Sequence, residues 1–394
     1  MKVAILSSFF QKYHATANGL CARNLYDCLI RQNHNVKVFC YYSEVKDNDN
    51  NVIIVQRNDK ENNERPLLWK RLHSYYTAFR SFIVPYYDAK LVQSYLKELE
   101  RSKFLPEYII AMYFPYESII AAYKYKAKHP EVKIVAFELD SAGDGISNQN
   151  IFNKFTSTAI ESKIDSFYKR FDRVIIMRSH LKYWESTHFR YISEMRVSDI
   201  PILTAKKKVS DTTPNEHDIH MGIYSGLLDS TYRNPSYLLD VMSLVNRDNV
   251  ILNIHFYSKG NCETLIAKRA EKEDYIYQHG YIDKDSLNLE LGKADFLFSI
   301  GNSNSNSLPS KLIDYISSGK PIIHLALQDD DVCVNYLNKY KNCIIINIKD
   351  DVVESSYRLK EFIQKSSDIV IDNNYIFSTF VENTPQYSVK MIFE

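Results

Sequence analysis

Residues 301–321 read GNSNSNSLPSKLIDYISSGKP, a polar segment set between two apolar runs. Apolar runs at 296–300 and 322–327 flank it, each of a length that suits a buried strand. Between them lie a polar loop, a helix with Pro309 in its first turn, and a stop made by Gly319 and Pro321. At about 100° per residue, Leu308, Leu312 and Ile316 fall on one stripe of that helix, and Ser307, Lys311, Asp314 and Ser318 on the opposite one. The apolar stripe packs on a sheet, so the polar stripe looks out over the strand ends.

A nucleoside diphosphate suits such a face. Unpaired backbone N–H groups and the positive end of the helix dipole attract an anion, and the Lys311 ammonium reinforces them. Asp314, one turn further on, is an acceptor-only carboxylate matched to a pair of ribose hydroxyls. A capped amphipathic helix with a solvated lysine and aspartate satisfies the same pattern.

The stretch resembles the donor-binding motif of GT-B glycosyltransferases, in particular bacterial members of the retaining family-4 group, whose pattern is P-S-K-x-x-E-Y-x-x-x-G-K-P. Pro309, Ser310, Lys311, Tyr315, Gly319, Lys320 and Pro321 stand where that pattern asks. Asp314 replaces the usual Glu, and Asn306 stands where the first Glu of an E-x7-E pair is expected. The resemblance implies an α/β fold with two Rossmann-like, doubly wound parallel-sheet domains facing each other across a cleft. It implies donor contacts at Asn306, Ser307, Leu308, Pro309, Ser310, Lys311 and Asp314, and it does not name the sugar.

With 394 residues the chain exceeds one ordinary core. Its 49 basic and 48 acidic residues create no global field that would recruit nucleic acid. The six cysteines, Cys21, Cys28, Cys40, Cys262, Cys333 and Cys343, show no metal-ligand spacing and read as small apolar residues of a reducing compartment. No stretch approaches the roughly 20 apolar residues of a membrane span. The expectation is therefore a cytoplasmic protein without metal or cofactor. Residues 65–90, rich in aromatics and arginines, suit either a peripheral contact with anionic lipid headgroups or a pair of short helices with core aromatics.

Apolar runs at 3–6 and 36–40 with helical periodicity at 20–31 make a strand, helix, strand unit. The loop between them ends in Gly19, which lets a ligand approach the backbone, and carries His14, a polar group that suits either a cleft or solvent. Further strands are expected at 52–55, 108–111, 133–137 and 174–177, and helices at 89–100, at 151–171 and from Ser179. Ligands bind outside the carboxyl ends of such strands, which makes Tyr113, Tyr116, Glu138, Asp140 and Asp144 acceptor-side candidates. Asp140 is preferred as the group that helps deprotonate an acceptor hydroxyl.

The polar, proline-punctuated stretch after residue 200 marks a boundary, so domains are expected at 1–205 and 206–373, with a returning helix at 374–394. Strand 219–224 opens the second domain and leads into Gly226 and a loop with Arg233. The resemblance makes Arg233 a phosphate ligand and places Leu227 where an arginine usually stands. Lys311, Arg233 and Asp140 are the expected catalytic groups, and Gly19 and Gly226 further donor contacts. The resulting expectation is a transferase that takes a UDP- or GDP-sugar and delivers the sugar to a glycan or lipid-linked acceptor of surface polysaccharide synthesis. A nucleotide-sugar 2-epimerase and a non-catalytic sugar-binding subunit are the competing readings. No G-x-G-x-x-G follows either first strand, which disfavours a dinucleotide oxidoreductase.

Overall fold

The computed structural model describes residues 1–10, 17–43, 50–56, 87–113, 115–140, 166–186, 194–204, 219–303 and 308–394. His14, Asn306, Ser307, Asp144, residues 151–165 of the helix expected at 151–171 and most of the aromatic-basic stretch lie outside these residues. The chain divides into two compact units, Met1–Ile202 with Glu382–Glu394, and Leu203–Val381.

The first unit holds strands β1 (Lys2–Phe10), β2 (Asn35–Ser43), β3 (Val52–Ile54), β4 (Tyr108–Tyr113), β5 (Lys133–Glu138), β6 (Arg173–Met177) and β7 (Met195–Ser198). They form one parallel sheet in the order β3-β2-β1-β4-β5-β6-β7. Near-continuous apolar runs such as Val3, Ala4, Ile5 and Leu6 are fully buried, as expected of a sheet covered on both faces. The sequence reading did not contain β7, because its residues, MRVS, carry little apolar signal; its pairing with β6 supplies what composition lacks. Where a helix was expected from Ser179, a short 3-10 turn, Arg178–His180, leads into the helix Leu181–Ser186.

The chain returns to this unit at its end. Arg173 donates to the carbonyls of Met391 and Ile392 at 3.1 and 3.0 Å, in the last turn of the helix Pro385–Phe393, and Phe393 stacks on His34 at 5.2 Å. The helix Asn373–Thr379 stays in the other unit, where the Tyr375 hydroxyl donates to the Lys339 carbonyl.

The second unit holds β8 (His220–Leu228), β9 (Leu252–Gly260), β10 (Ile276–Gln278), β11 (Phe296–Ile300), β12 (Ile322–Ala326) and β13 (Cys343–Asn347), parallel throughout in the order β10-β9-β8-β11-β12-β13. Each sheet reverses direction of growth once, between β1 and β4 in the first and between β8 and β11 in the second. Outside the strand ends at such a reversal, neighbouring connections part and leave a crevice. All six cysteines are free, and five are buried.

Candidate functional site

In the second unit the crevice at the reversal is a pocket of about 240 Å3. It is lined by the ends of β8 and β11 and by the start of the helix Ser310–Ser317. β8 continues beyond the end of its expected strand at Tyr224 through Leu228, paired residue by residue with β9. Gly226 sits in that extension with φ of 149°, a backbone state that side chains other than glycine's rarely adopt. At Gly226 the strand therefore presents bare backbone to the pocket.

The helix is anchored by its own motif. Tyr315 is buried, and its hydroxyl accepts from the Ser225 N–H at 3.1 Å and shares a 2.8 Å bond with the Ser225 hydroxyl. Leu312, Ile313 and Ile316 complete the buried face. Lys320 is also buried, and its ammonium donates to the carbonyls of Gly292, at 3.0 Å, and Ala294. Two of the motif positions, Tyr315 and Lys320, thus clasp the helix to the sheet and to the preceding helix, Lys284–Lys293. Pro309 precedes the first turn and makes no side-chain cap, so the first N–H groups of the helix are not taken by the capping residue.

Lys311 is half-buried on the pocket wall and donates to the Ser225 hydroxyl at 3.1 Å. Burial pushes its pKa down to about 8; Arg233, Lys284 and Lys259 push the same way, and Asp314 offsets only part of this. Positive charge is therefore concentrated around an open space, an arrangement that suits an anion. Arg233 lines the same pocket. Its guanidinium is aimed by the side-chain oxygen of Asn302, which accepts at 3.1 and 2.5 Å, and by the Leu227 carbonyl at 3.4 Å. Leu227 itself is 52% exposed at the mouth.

Gly226, Pro309, Ser310, Lys311 and Arg233 are thus brought together in one pocket. Leu308 and Asp314 are half-buried beside it and are not among its lining residues. Ser225, which ties Lys311 and Tyr315 to the strand end, was passed over in the sequence because a serine at a strand terminus carries no distinguishing signal.

The candidates of the first unit lie at the carboxyl end of its sheet. Gly19 is buried in the first turn of the helix Ala17–Arg31, Tyr113 ends β4 half-buried, and Asp140 is exposed two residues beyond β5. Glu138 differs from all of these, being 0% exposed. The Tyr168 hydroxyl donates to its Oε1, while its Oε2 and the buried Tyr116 hydroxyl have no hydrogen-bond partner among the described residues. Burial raises its carboxyl to about 8 against the opposing effect of the Tyr168 bond, with Asp140 adding to the rise. At neutral pH Glu138 is a sealed carboxylic acid.

No family model and no curated relative matches the sequence. Solved structures do match along the whole chain. A glycosyltransferase from Rickettsia africae ESF-5 superposes with a TM-score of 0.62 at 12% identity, covering 99% of this chain and 97% of that one. S. aureus TarM, in complex with fondaparinux, alpha-GlcNAc-glycerol and UDP, gives 0.59 at 10% identity with 100% of both chains covered. Anabaena HepE in complex with UDP-glucose gives 0.57 at 11% identity, covering 100% of this chain and 96% of that one. At these identities the likeness establishes architecture, and the architecture is GT-B: two Rossmann-like parallel-sheet units in one chain, as in these glycosyltransferases.

Proposed function

We propose that this chain is a glycosyltransferase that moves a sugar from a nucleoside-diphosphate sugar to a glycan or lipid-linked acceptor of surface polysaccharide synthesis. The observation that carries the reading is Lys311, held on the pocket wall by its bond to the Ser225 hydroxyl, where burial disfavours its charge and an anion in the pocket would stabilise it. A diphosphate there meets the Lys311 ammonium, the Arg233 guanidinium and the first N–H groups of the helix Ser310–Ser317. Charge on the departing diphosphate grows as the sugar–oxygen bond breaks, so donors fixed in advance stabilise the transition state more than the ground state. These cations and N–H groups supply the positive charge a metal would otherwise provide, so the reaction is independent of a metal, and the resemblance to the retaining family-4 group implies retained anomeric configuration.

Two of the similar structures hold UDP or UDP-glucose, which makes UDP the first nucleotide to test and GDP the second. Asp314 is assigned to the ribose, with Asn306, Ser307 and Leu308 beside the donor. Acceptor contacts are assigned to the first unit at His14, Tyr113 and Asp140, with Asp140 assisting deprotonation and Gly19 next to the substrates. Glu138, expected on the acceptor side and at the same end of the sheet, is fully buried and is given no acceptor contact. No helix among the described residues is long and apolar enough to cross a membrane, and the reading places the protein in the cytoplasm, in peripheral contact with the membrane that holds its acceptor.

The test is release of UDP or GDP from a panel of nucleotide sugars, with and without extracts of lipid-linked glycan and in the presence of EDTA. Acceptor-dependent release that survives EDTA is the expected result. Release of free sugar without any acceptor, or of an isomerised nucleotide sugar, would contradict it.

A further inference from the structure

Behind the donor pocket lies a buried polar cluster. His324, in the middle of β12, is 0% exposed, and Asp331, just before the helix Val332–Leu337, is 3% exposed. The imidazole Nε2 is 3.2 Å from Asp331 Oδ2, and its Nδ1 is 3.1 Å from the hydroxyl of Ser299 on β11. Asp331 Oδ1 accepts from the Cys333 N–H at 2.8 Å. Burial alone would raise the Asp331 carboxyl; the His324 bond and charge, with the Cys333 N–H, outweigh burial and hold it below the usual carboxylate range.

The carboxylate lies directly against Gly301, where a Cβ would stand 1.7 Å from Asp331 Oδ2. Only a residue without a side chain fits there, so the turn after β11 rests on the carboxylate. That turn continues into Asn302, whose oxygen holds Arg233, and into Ser303. Ser303 donates from its N–H to the Tyr232 carbonyl at 2.9 Å and from its hydroxyl to the Thr231 carbonyl at 2.8 Å. A hydrogen-bonded pair in the interior is thereby joined through one glycine contact to the residue that aims the guanidinium.

We propose that His324 and Asp331 are positioning residues for the donor diphosphate: the pair supports the turn at Gly301, and through Asn302 it fixes the direction of Arg233. The inference rests on the donor reading. His324, Asp331 and Cys333 also have ligand atoms within 4.8 Å of one another, the spacing of a metal site. Both imidazole nitrogens and both carboxylate oxygens are already engaged by protein groups, which favours the brace.

The experiment is a double-mutant cycle read by calorimetric titration of UDP and GDP into the full chain. Asp331→Asn is combined with Arg233→Gln and, separately, with Lys311→Met. In the wild-type background Asp331→Asn is expected to weaken binding by roughly five- to tenfold, the scale of coupled neighbours. In the Arg233→Gln background the same change is expected to cost less than about twofold, because the residue it serves is gone. In the Lys311→Met background the full loss persists, since Lys311 is held by Ser225. Should Asp331→Asn fail to fold, His324→Gln, which leaves the helix cap in place, enters the same cycle. An equal loss in the Arg233→Gln and wild-type backgrounds, or no loss in wild type, overturns the brace alone. Stoichiometric zinc in the purified wild type that both variants lose would overturn it in favour of a metal site. Failure of the wild type to bind either nucleotide overturns the donor reading and the brace together.

Discussion

The two sheets end in opposite ways. At the carboxyl end of the second sheet a cation, Lys311, stands on the wall of an open pocket with further positive charge around it. At the carboxyl end of the first sheet an acid, Glu138, is sealed beneath Tyr116 and Tyr168. Both groups titrate near 8, Lys311 from above and Glu138 from below, and burial is the leading cause in each. The outcome differs because of access. An anion can reach Lys311 and stabilise its charge, whereas Glu138 is buried and keeps its proton at neutral pH. Perturbed pKa values alone therefore do not mark a substrate site; the space next to the group decides.

The largest expected effect is at the open end. Lys311→Met removes a desolvated cation from the diphosphate and is expected to cost about 2–4 kcal/mol of nucleotide affinity, a factor of roughly 30 to 1,000, measured by calorimetry. Turnover falls with it, while the melting temperature holds or rises, because the removed charge was unfavourable in the unliganded protein.

Glu138→Gln probes the sealed end. The native carboxyl titrates near 8 and the unfolded one near 4.5. The native state thus keeps a proton that the unfolded state releases, and the stabilisation this gives is complete below 4.5 and is lost as pH rises to about 8. Wild-type stability is expected to fall with pH in that window by up to about 1.4 kcal/mol per unit relative to Glu138→Gln. Parallel stability curves for the two proteins would place the acid in contact with water and remove the contrast between the sheets.

A smaller effect sharpens the same contrast. Gly226→Ala forces a side chain into a backbone state of φ 149° and is expected to cost about 1–3 kcal/mol of stability. Its effect on nucleotide affinity should be confined to the second unit, so that Glu138-dependent stability slopes are unchanged.

Much of the fold was legible because strands covered on both faces write themselves as apolar runs: Val3 to Leu6 and Phe296 to Ile300 could be read directly. The short polar strand β7 and the extension of β8 through Gly226 could not, since both are created by pairing with a neighbour and not by local composition. The candidate site was legible to the same degree. Lys311 on its helix and Arg233 on the loop after β8 stand out in the sequence as cations, and the structure brings them into one pocket. The anchoring of Tyr315 on Ser225, the clasp of Lys320 and the brace under Gly301 depend on contacts between residues far apart in the chain, which no spacing rule contains. Asp314, read from helical phase as a companion of Lys311, lies beside the pocket and off its wall.

The most direct test of the central claim is proton uptake on nucleotide binding. Calorimetric titrations of UDP at pH 8 in two buffers of different ionisation enthalpy count protons taken up as the complex forms. Because free Lys311 titrates near 8 and a bound diphosphate raises its pKa, the wild type is expected to take up about half a proton there. Affinity should then fall by up to about tenfold per pH unit above 8. Lys311→Met should show neither uptake nor this decline. Binding of UDP by the wild type without proton uptake, or uptake that survives in Lys311→Met, would contradict the assignment of Lys311 to the diphosphate.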